Sequence, residues 1–285
     1  MDNLIGIFGK KNLEKRFKNI HGRGIMKKYF HIWIYLTAAS FQSFFVSRIG
    51  AVLFLSGKIF RFVFFLGFLI LLVSRTKILA GYNLNQILIF YLTFNFIDSI
   101  TQMLFREVYR FRSQVISGDF DLILLKPVNA LFRVLFGGTD FLDFVTLLPL
   151  IIIIAYLIFQ IPNISLLGII IYIILIINAL VISSAFHIIV LALAIFTVEI
   201  DNTIMIYRDV MSMGKLPIDV YREPIRSFIT FAIPVGIMLT YPPRALFNLL
   251  HVHYLMIAFI FGSGFLLFSL LFWRFALKHY TSASS

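Results

Sequence analysis

From Ile164 to Thr197 the chain runs about 34 residues without one charged side chain. As a helix that run is about 51 Å long, against ~30 Å for the hydrocarbon core of a bilayer. It is too long for one straight crossing and too short for two with a turn, so one helix that continues past the bilayer is expected, with Ser183-Ser184 as a place to bend. A helix apolar on every side is buried in protein or in lipid. The rest of the chain points the same way: 60% of the 285 residues are hydrophobic and 13% are charged, with mean hydropathy +0.96. Soluble domains carry about 25% charged residues. The expected fold is all-α, a polytopic membrane protein with about six transmembrane helices.

The other crossings follow from runs of similar character. Spans are expected at about 51–73, 86–105, 141–160, 164–197 and 255–273, with residues 29–48 as an interfacial helix that mixes aromatics with Gln42, Ser43 and Arg48. Pro149 within the third span is tolerable where neighbouring helices satisfy the freed carbonyl. Ile161-Pro162-Asn163 is a tight turn. Residues 1–48 are expected as a basic cytoplasmic and interfacial segment, 49–280 as a single transmembrane domain, and 281–285 as a tail. Met26-Lys27-Lys28 resembles a second start, which makes residues 1–25 an extension. Residues 200–223 read as interfacial by hydropathy, since Arg208, Asp209 and Lys215 interrupt them. Pro224 to Tyr241 is short and broken by Pro234 and Gly236, the pattern of a re-entrant segment.

Charge orients the chain. Residues 1–50 carry nine Lys and Arg against Asp2 and Glu14, and residues 106–133 carry five against three acids. Cationic loops stay on the cytoplasmic side, so both loops, the N-terminus and the C-terminus after Arg274 and Lys278 are expected inside a cell membrane, plasma or inner. The net charge of +12 is explained by loops facing anionic lipid, without nucleic acid. Cysteine is absent, which rules out disulfides and thiolate metal sites.

The search for chemistry returns little. There is no G-x-x-x-x-G-K-[ST], H-E-x-x-H or G-x-S-x-G, and no catalytic residue, metal site or cofactor of its own is expected. Two alternatives stay open at this point: a membrane-embedded enzyme using His187 with Asp98 or Glu199, and an ion-coupled secondary transporter. A histidine bonded to a neighbouring helix accounts for His187 without catalysis. Asn95, Asp98, Thr101 and Gln102 form a polar stripe facing protein or a water-filled path, with Asn95, Asp98 and Gln102 as a candidate substrate path. Lys58 or Arg61 is the expected partner of Asp98. Asp140 and Asp143 open a helix where its dipole favours them. His251 and His253 are spaced to reach one metal but are weak evidence alone.

Ser117 to Pro127 is the most specific segment. Asp119 is a candidate N-cap with Gly118 easing the turn into the helix, Lys126 falls in the last turn, and Pro127 ends the element. An ordinary capped loop helix on the membrane surface and a knob presented to a partner fit the spacing equally.

Arg112, then Gly118-Asp119-Phe120-Asp121-Leu122-Ile123-Leu124-Leu125-Lys126-Pro127-Val128-Asn129, then Leu131-Phe132-Arg133, form one recognisable pattern. Phe196-Thr197-Val198-Glu199, Ile233-Pro234-Val235, Tyr241-Pro242 and Leu277-Lys278-His279-Tyr280-Thr281-Ser282-Ala283 extend it. From about residue 26 onward the chain resembles type-2 exporter permeases of the ATP-binding cassette (ABC) superfamily, the branch of uncharacterised substrates. The family often has a small turn residue such as proline where Asp119 stands, and Asp is compatible with capping. The resemblance implies a coupling helix in which Gly118, Asp119, Asp121, Leu122, Leu125, Lys126 and Pro127 meet a separate ATPase subunit that binds the ATP. It also implies a second permease copy or a related one, a fifth crossing at about 202–218, and re-entrant helices over Pro224 to Phe247 near the outer face. That topology leaves Arg222, Arg226 and Arg244 outside, against the positive-inside trend. A rival fifth span at Phe228 to Leu250 would avoid the conflict.

Overall fold

The computed structural model describes residues 25–46, 48–162, 164–197 and 200–281. Residues 1–24, Ser47, Asn163, Val198 and Glu199, and 282–285 lie outside the described residues, as do the readings placed on them. Every regular element among the described residues is helical; the only pairing of strand type is an isolated bridge between Leu79 and Tyr82.

Among the described residues, five helices are long and apolar enough to cross a membrane. Helix α1 (Ile25–Val46) precedes the first of them, α2 (Arg48–Thr76). Next comes α3 (Leu84–Leu104), opened by a reciprocal cap: Asn83 accepts from the Gln86 amide, and the Gln86 side chain accepts from the Asn83 amide. Two short helices, α4 (Phe111–Ile116) and α5 (Asp119–Leu124), and then α6 (Ala130–Phe136) occupy the following loop. The remaining long helices are α7 (Phe141–Gln160), α8 (Leu166–Thr197) and, after the irregular region described below, Val252–Lys278. Asp140 caps α7 by accepting from the Leu142 amide at 2.9 Å. α7 carries Pro149 without a break, and α8 runs through Ser183-Ser184 as one helix. The end of the bundle that carries α4 to α6 is termed basal, and the end with the Lys77–Asn83 turn distal.

The last long helix packs on α8 through small residues. A Cβ on Gly262 would lie 2.2 Å from the Asn178 side-chain oxygen, and Asn178 donates to the Ala258 carbonyl at 3.0 Å. Between membrane helices, close backbone approach and interhelical hydrogen bonds do the work that hydrophobic burial does in water. A polar ladder repeats the device inside the bundle. Thr93 bonds Tyr172 at 2.9 Å, Thr101 bonds Ser183 at 3.0 Å, and Ser183 bonds Tyr207 at 3.1 Å.

The segment at about 202–218, where a crossing is expected, is not one long apolar helix. It begins as α9 (Ile200–Ser212) and continues as 3₁₀ turns at Met213–Lys215 and Ile218–Val220. α9 alone covers about 20 Å, so it is not among the five long apolar helices. With the 3₁₀ and extended residues added, the segment reaches at most about 38 Å, enough for a ~30 Å core. Its contacts span the bundle: Ile204 lies in the basal core with Phe105 and Trp273, Met211 in the main core, and Asp219 accepts from Tyr82 at the distal end at 2.9 Å. The rival span at Phe228 to Leu250 is not formed. That stretch breaks at its prolines into a π turn at Phe228–Ala232, α10 (Val235–Leu239) and α11 (Tyr241–Leu246). Val235 to Pro243 is buried throughout, and the stretch leaves and rejoins the distal end, where the final long helix α12 (Val252–Lys278) begins. This is a re-entrant hairpin shielded by protein, as irregular backbone at membrane depth requires.

Asp219 accounts for the distal cations. It accepts from Arg226 at 2.8 Å and pairs closely with Arg244, while Arg244 donates to Tyr82 at 3.0 Å. Two of the three arginines that oppose the positive-inside trend therefore share one carboxylate, which offsets one of their two charges.

Lys58 pairs with Asp143 rather than with Asp98. The pair ties α2 to α7 with the carboxylate almost wholly buried, its side chain 2% exposed. Asp143 therefore does more than complement a helix dipole. Lys58→Ala leaves that carboxylate uncompensated and is expected to cost about 3–5 kcal/mol. Lys58→Ala with Asp143→Asn should recover much of the loss, measured by thermal unfolding of the purified protein in detergent.

Candidate functional site

The basal loop folds into a compact knob. Gly118 has φ of 75°, the left-handed conformation that lets α5 fold back on α4. It is Gly118, not Asp119, that stands at the cap position, and it makes no side-chain cap bond; Asp119 opens α5 and accepts from the Ser117 hydroxyl at 2.8 Å. The helix ends at Leu124, so Lys126 and Pro127 fall just beyond it, with Lys126 exposed.

Phe120 and Ile123 point inward and Leu122 and Leu125 outward, because residues three apart share a helix face. Phe120 is fully buried, with its ring edge-on to Phe111 at 4.9 Å and to Tyr280 at 5.1 Å, and 6.4 Å from Trp273. Leu122 is 57% exposed and Leu125 82%. Asp121 lies beside Tyr280, and burial together with that negative neighbour pushes the Tyr280 phenol up to about 12. The knob is thus pinned to α12 as well as to α4. α1 braces its far side: Lys28 donates to the Pro127 carbonyl at 3.1 Å, Asn129 N–H to the Tyr29 hydroxyl at 3.2 Å, and Tyr29 meets Phe132 edge-on at 4.8 Å. Lys28, Tyr29, Trp273 and Tyr280 are all remote from the knob in sequence, so only the capping and spacing signals were open to sequence reading.

The membrane stripe divides. Asn95 and Asp98 line a cavity of about 70 Å³, together with Arg61, Phe65, Tyr91, Phe94, Arg208, Met211, Ser212 and Lys215. Gln102 is buried and does not line it; Thr101 is spent on Ser183. Arg208 and Lys215 come from the amphipathic crossing that hydropathy reads as interfacial.

His187 is buried, its Nδ1 2.9 Å from the Ser183 carbonyl one turn earlier on its own helix. Phe105 and Tyr207 flank its ring at 4.9 and 5.0 Å. The bond is to its own helix, not to a neighbouring one, and Glu199 lies outside the described residues. His251 and His253 stack at 5.7 Å, and among the described residues no three His, Asp or Glu side chains gather as a metal site.

Long apolar helices, a buried re-entrant hairpin and a charged cavity at depth define a polytopic membrane transport subunit. Residues 59–284 match the model of the family described as ABC-2 family transporter protein, and the chain belongs to that family as the membrane permease component of an ABC transporter. Neither a curated protein nor a solved structure matches it.

Proposed function

We propose that this permease is an exporter subunit in the cell membrane, working as a pair with a second copy or a related permease, and driven by two ATPase subunits that dock on α5. The observation that carries the reading is the two-sided knob. Leu122 and Leu125 offer an exposed apolar tip, while Phe120 locks the inner face to Phe111, Trp273 and Tyr280. A small hydrophobic anchor of this kind is what a partner groove grips. When ATP closes the ATPase pair, motion of the groove passes through Phe120 to α12 and through α4 to α3. The permease makes no covalent chemistry; it binds, opens and releases. Gly118, Asp119, Asp121, Leu122, Leu125, Lys126 and Pro127 form the docking face, and Asn95 and Asp98 line the path.

This reading requires the basal end to be cytoplasmic. Support comes from charge: Arg106, Arg110, Arg112, Lys126, Arg133, Arg274 and Lys278 all lie at that end. With no native cysteine, single substitutions report sidedness directly. A membrane-impermeant maleimide should label Ile78→Cys in intact cells and Ser113→Cys only after permeabilisation. The reverse pattern would remove any route for an ATPase to reach the knob.

A further inference from the structure

The cavity between α2, α3 and the α9 crossing holds more cations than the bundle can use. Arg61 lies about 20 Å from either end of α2, close to mid-depth. Arg208 and Lys215 face the same space, and Asp98 is the one carboxylate among its lining residues. Four other acids of the bundle have cationic partners: Asp143 with Lys58, Asp140 with Arg106, Glu107 with Arg133 and Asp219 with Arg244. Asp209, next to Arg208 on α9, is exposed and does not line the cavity. Among the described residues Asp98 forms no direct ion pair, so the three cations surround it without being consumed by it. The formal excess is two positive charges.

Unbalanced cations at this depth are costly and mark ligand or ion paths. The walls state what kind of ligand. Lys215 Nζ sits 5.5 Å from the ring centre of Phe65 and 6.0 Å from that of Phe94. Those contacts hold the ammonium against aromatic faces, where an apolar chain also finds contact. Two guanidinium groups present the planar donors that suit a phosphate-type oxyanion. The volume, about 70 Å³, is several times what one water requires, which is room for an ionic head and not for a whole amphiphile. Arg61 and Arg208 are both exposed on the bundle face, so a head group reaches the cavity sideways while its tail stays in the apolar surroundings.

We propose that this cavity binds a phosphate-type anionic head group and that the substrate class is the anionic amphiphile. The word substrate rests on the transport reading above; the binding does not.

The test uses the full chain, purified without any ATPase and reconstituted in phosphatidylcholine nanodiscs, with labelled phosphatidylglycerol and labelled phosphatidylcholine as probes. The anionic lipid should bind at least about tenfold more tightly, since each charge-assisted contact is roughly twice as strong as a neutral one. Arg208→Gln and Lys215→Gln should each cut that preference about fivefold, and Asp98→Asn should strengthen anionic binding about threefold, a gain that misfolding does not imitate. Arg75→Gln, which removes one distal charge far from the cavity, should change nothing. Displacement of the lipid by millimolar inorganic phosphate would assign the site to the phosphoryl anion itself, and lack of displacement to the lipid-borne head; both sustain the oxyanion site. Equal binding of the two lipids, or the same loss in Arg75→Gln as in Arg208→Gln, overturns it. Because no ATPase is present, that failure leaves the docking reading standing, and failure of docking leaves this result standing.

Discussion

Leu125→Asp is expected to abolish capture of an ATPase subunit by the purified permease while the membrane bundle stays folded. Leu125 is 82% exposed and touches the bundle little, so the substitution has almost no folded-state cost. In a complex, the same side chain would have to enter an apolar socket. Loss of such an anchor costs about 2 kcal/mol or more, a factor of about 30 in affinity, before the added charge is counted. Leu122→Asp should act the same way. Asp121→Lys is a poorer probe than its place in the sequence suggests, because Asp121 lies beside Tyr280 and its reversal disturbs the anchor and the docking face together. Affinity purification through the permease, followed by quantitation of the ATPase chain and a thermal melt, separates docking from folding. Normal ATPase recovery with Leu125→Asp would place the contact elsewhere.

Phe120→Ala is expected to do the opposite: keep the partner and lose the transmission. Its ring is completely buried among Phe111, Trp273 and Tyr280. Removing a buried Phe side chain typically costs about 3–5 kcal/mol, and here the loss falls on the joint between α5 and α12. Leu122 and Leu125 remain exposed for docking. ATP hydrolysis by the assembled complex should persist while transport per ATP falls at least about tenfold, as expected when the element joining two sites is loosened. Hydrogen exchange over residues 111–124 should quicken in parallel. Unchanged transport per ATP would show that force reaches the bundle by another route.

Much of the fold was legible because lipid imposes one simple rule, an apolar helix of sufficient length. Residues 141–160 form one helix, Phe141–Gln160, and within the run from Ile164 to Thr197 a single helix covers Leu166–Thr197. The form of the 202–218 segment was not legible from hydropathy. Its α-helix is short, it brings Arg208 and Lys215 to a cavity at the bundle face, and it continues in 3₁₀ turns, so no apolar run announces it. The charge conflict over Arg226 and Arg244 arose because the positive-inside rule counts residues one at a time, whereas both arginines converge on Asp219.

The knob was half legible. Gly118, Asp119 and Pro127 mark a turn, a helix start and a stop within a few residues, which local chemistry reveals. The aromatic socket that holds it needs residues 111, 120, 273 and 280 in one place, a fact of tertiary packing. The cavity shows the same division: Asn95 and Asp98 were visible as a stripe, but the excess of cations emerges only when three separate elements meet. Lys58 was misassigned for the same reason. It lies near Asp98 in the order of helices, yet packing gives it Asp143.

The most direct measurement is photo-crosslinking from position 122 in membranes of cells expressing the assembled transporter, with the captured chain identified by mass spectrometry. The account predicts capture of a subunit bearing a nucleotide-binding Walker loop, lost when Leu125→Asp is introduced in the same chain. Capture of lipid alone, or of another permease chain, would contradict it.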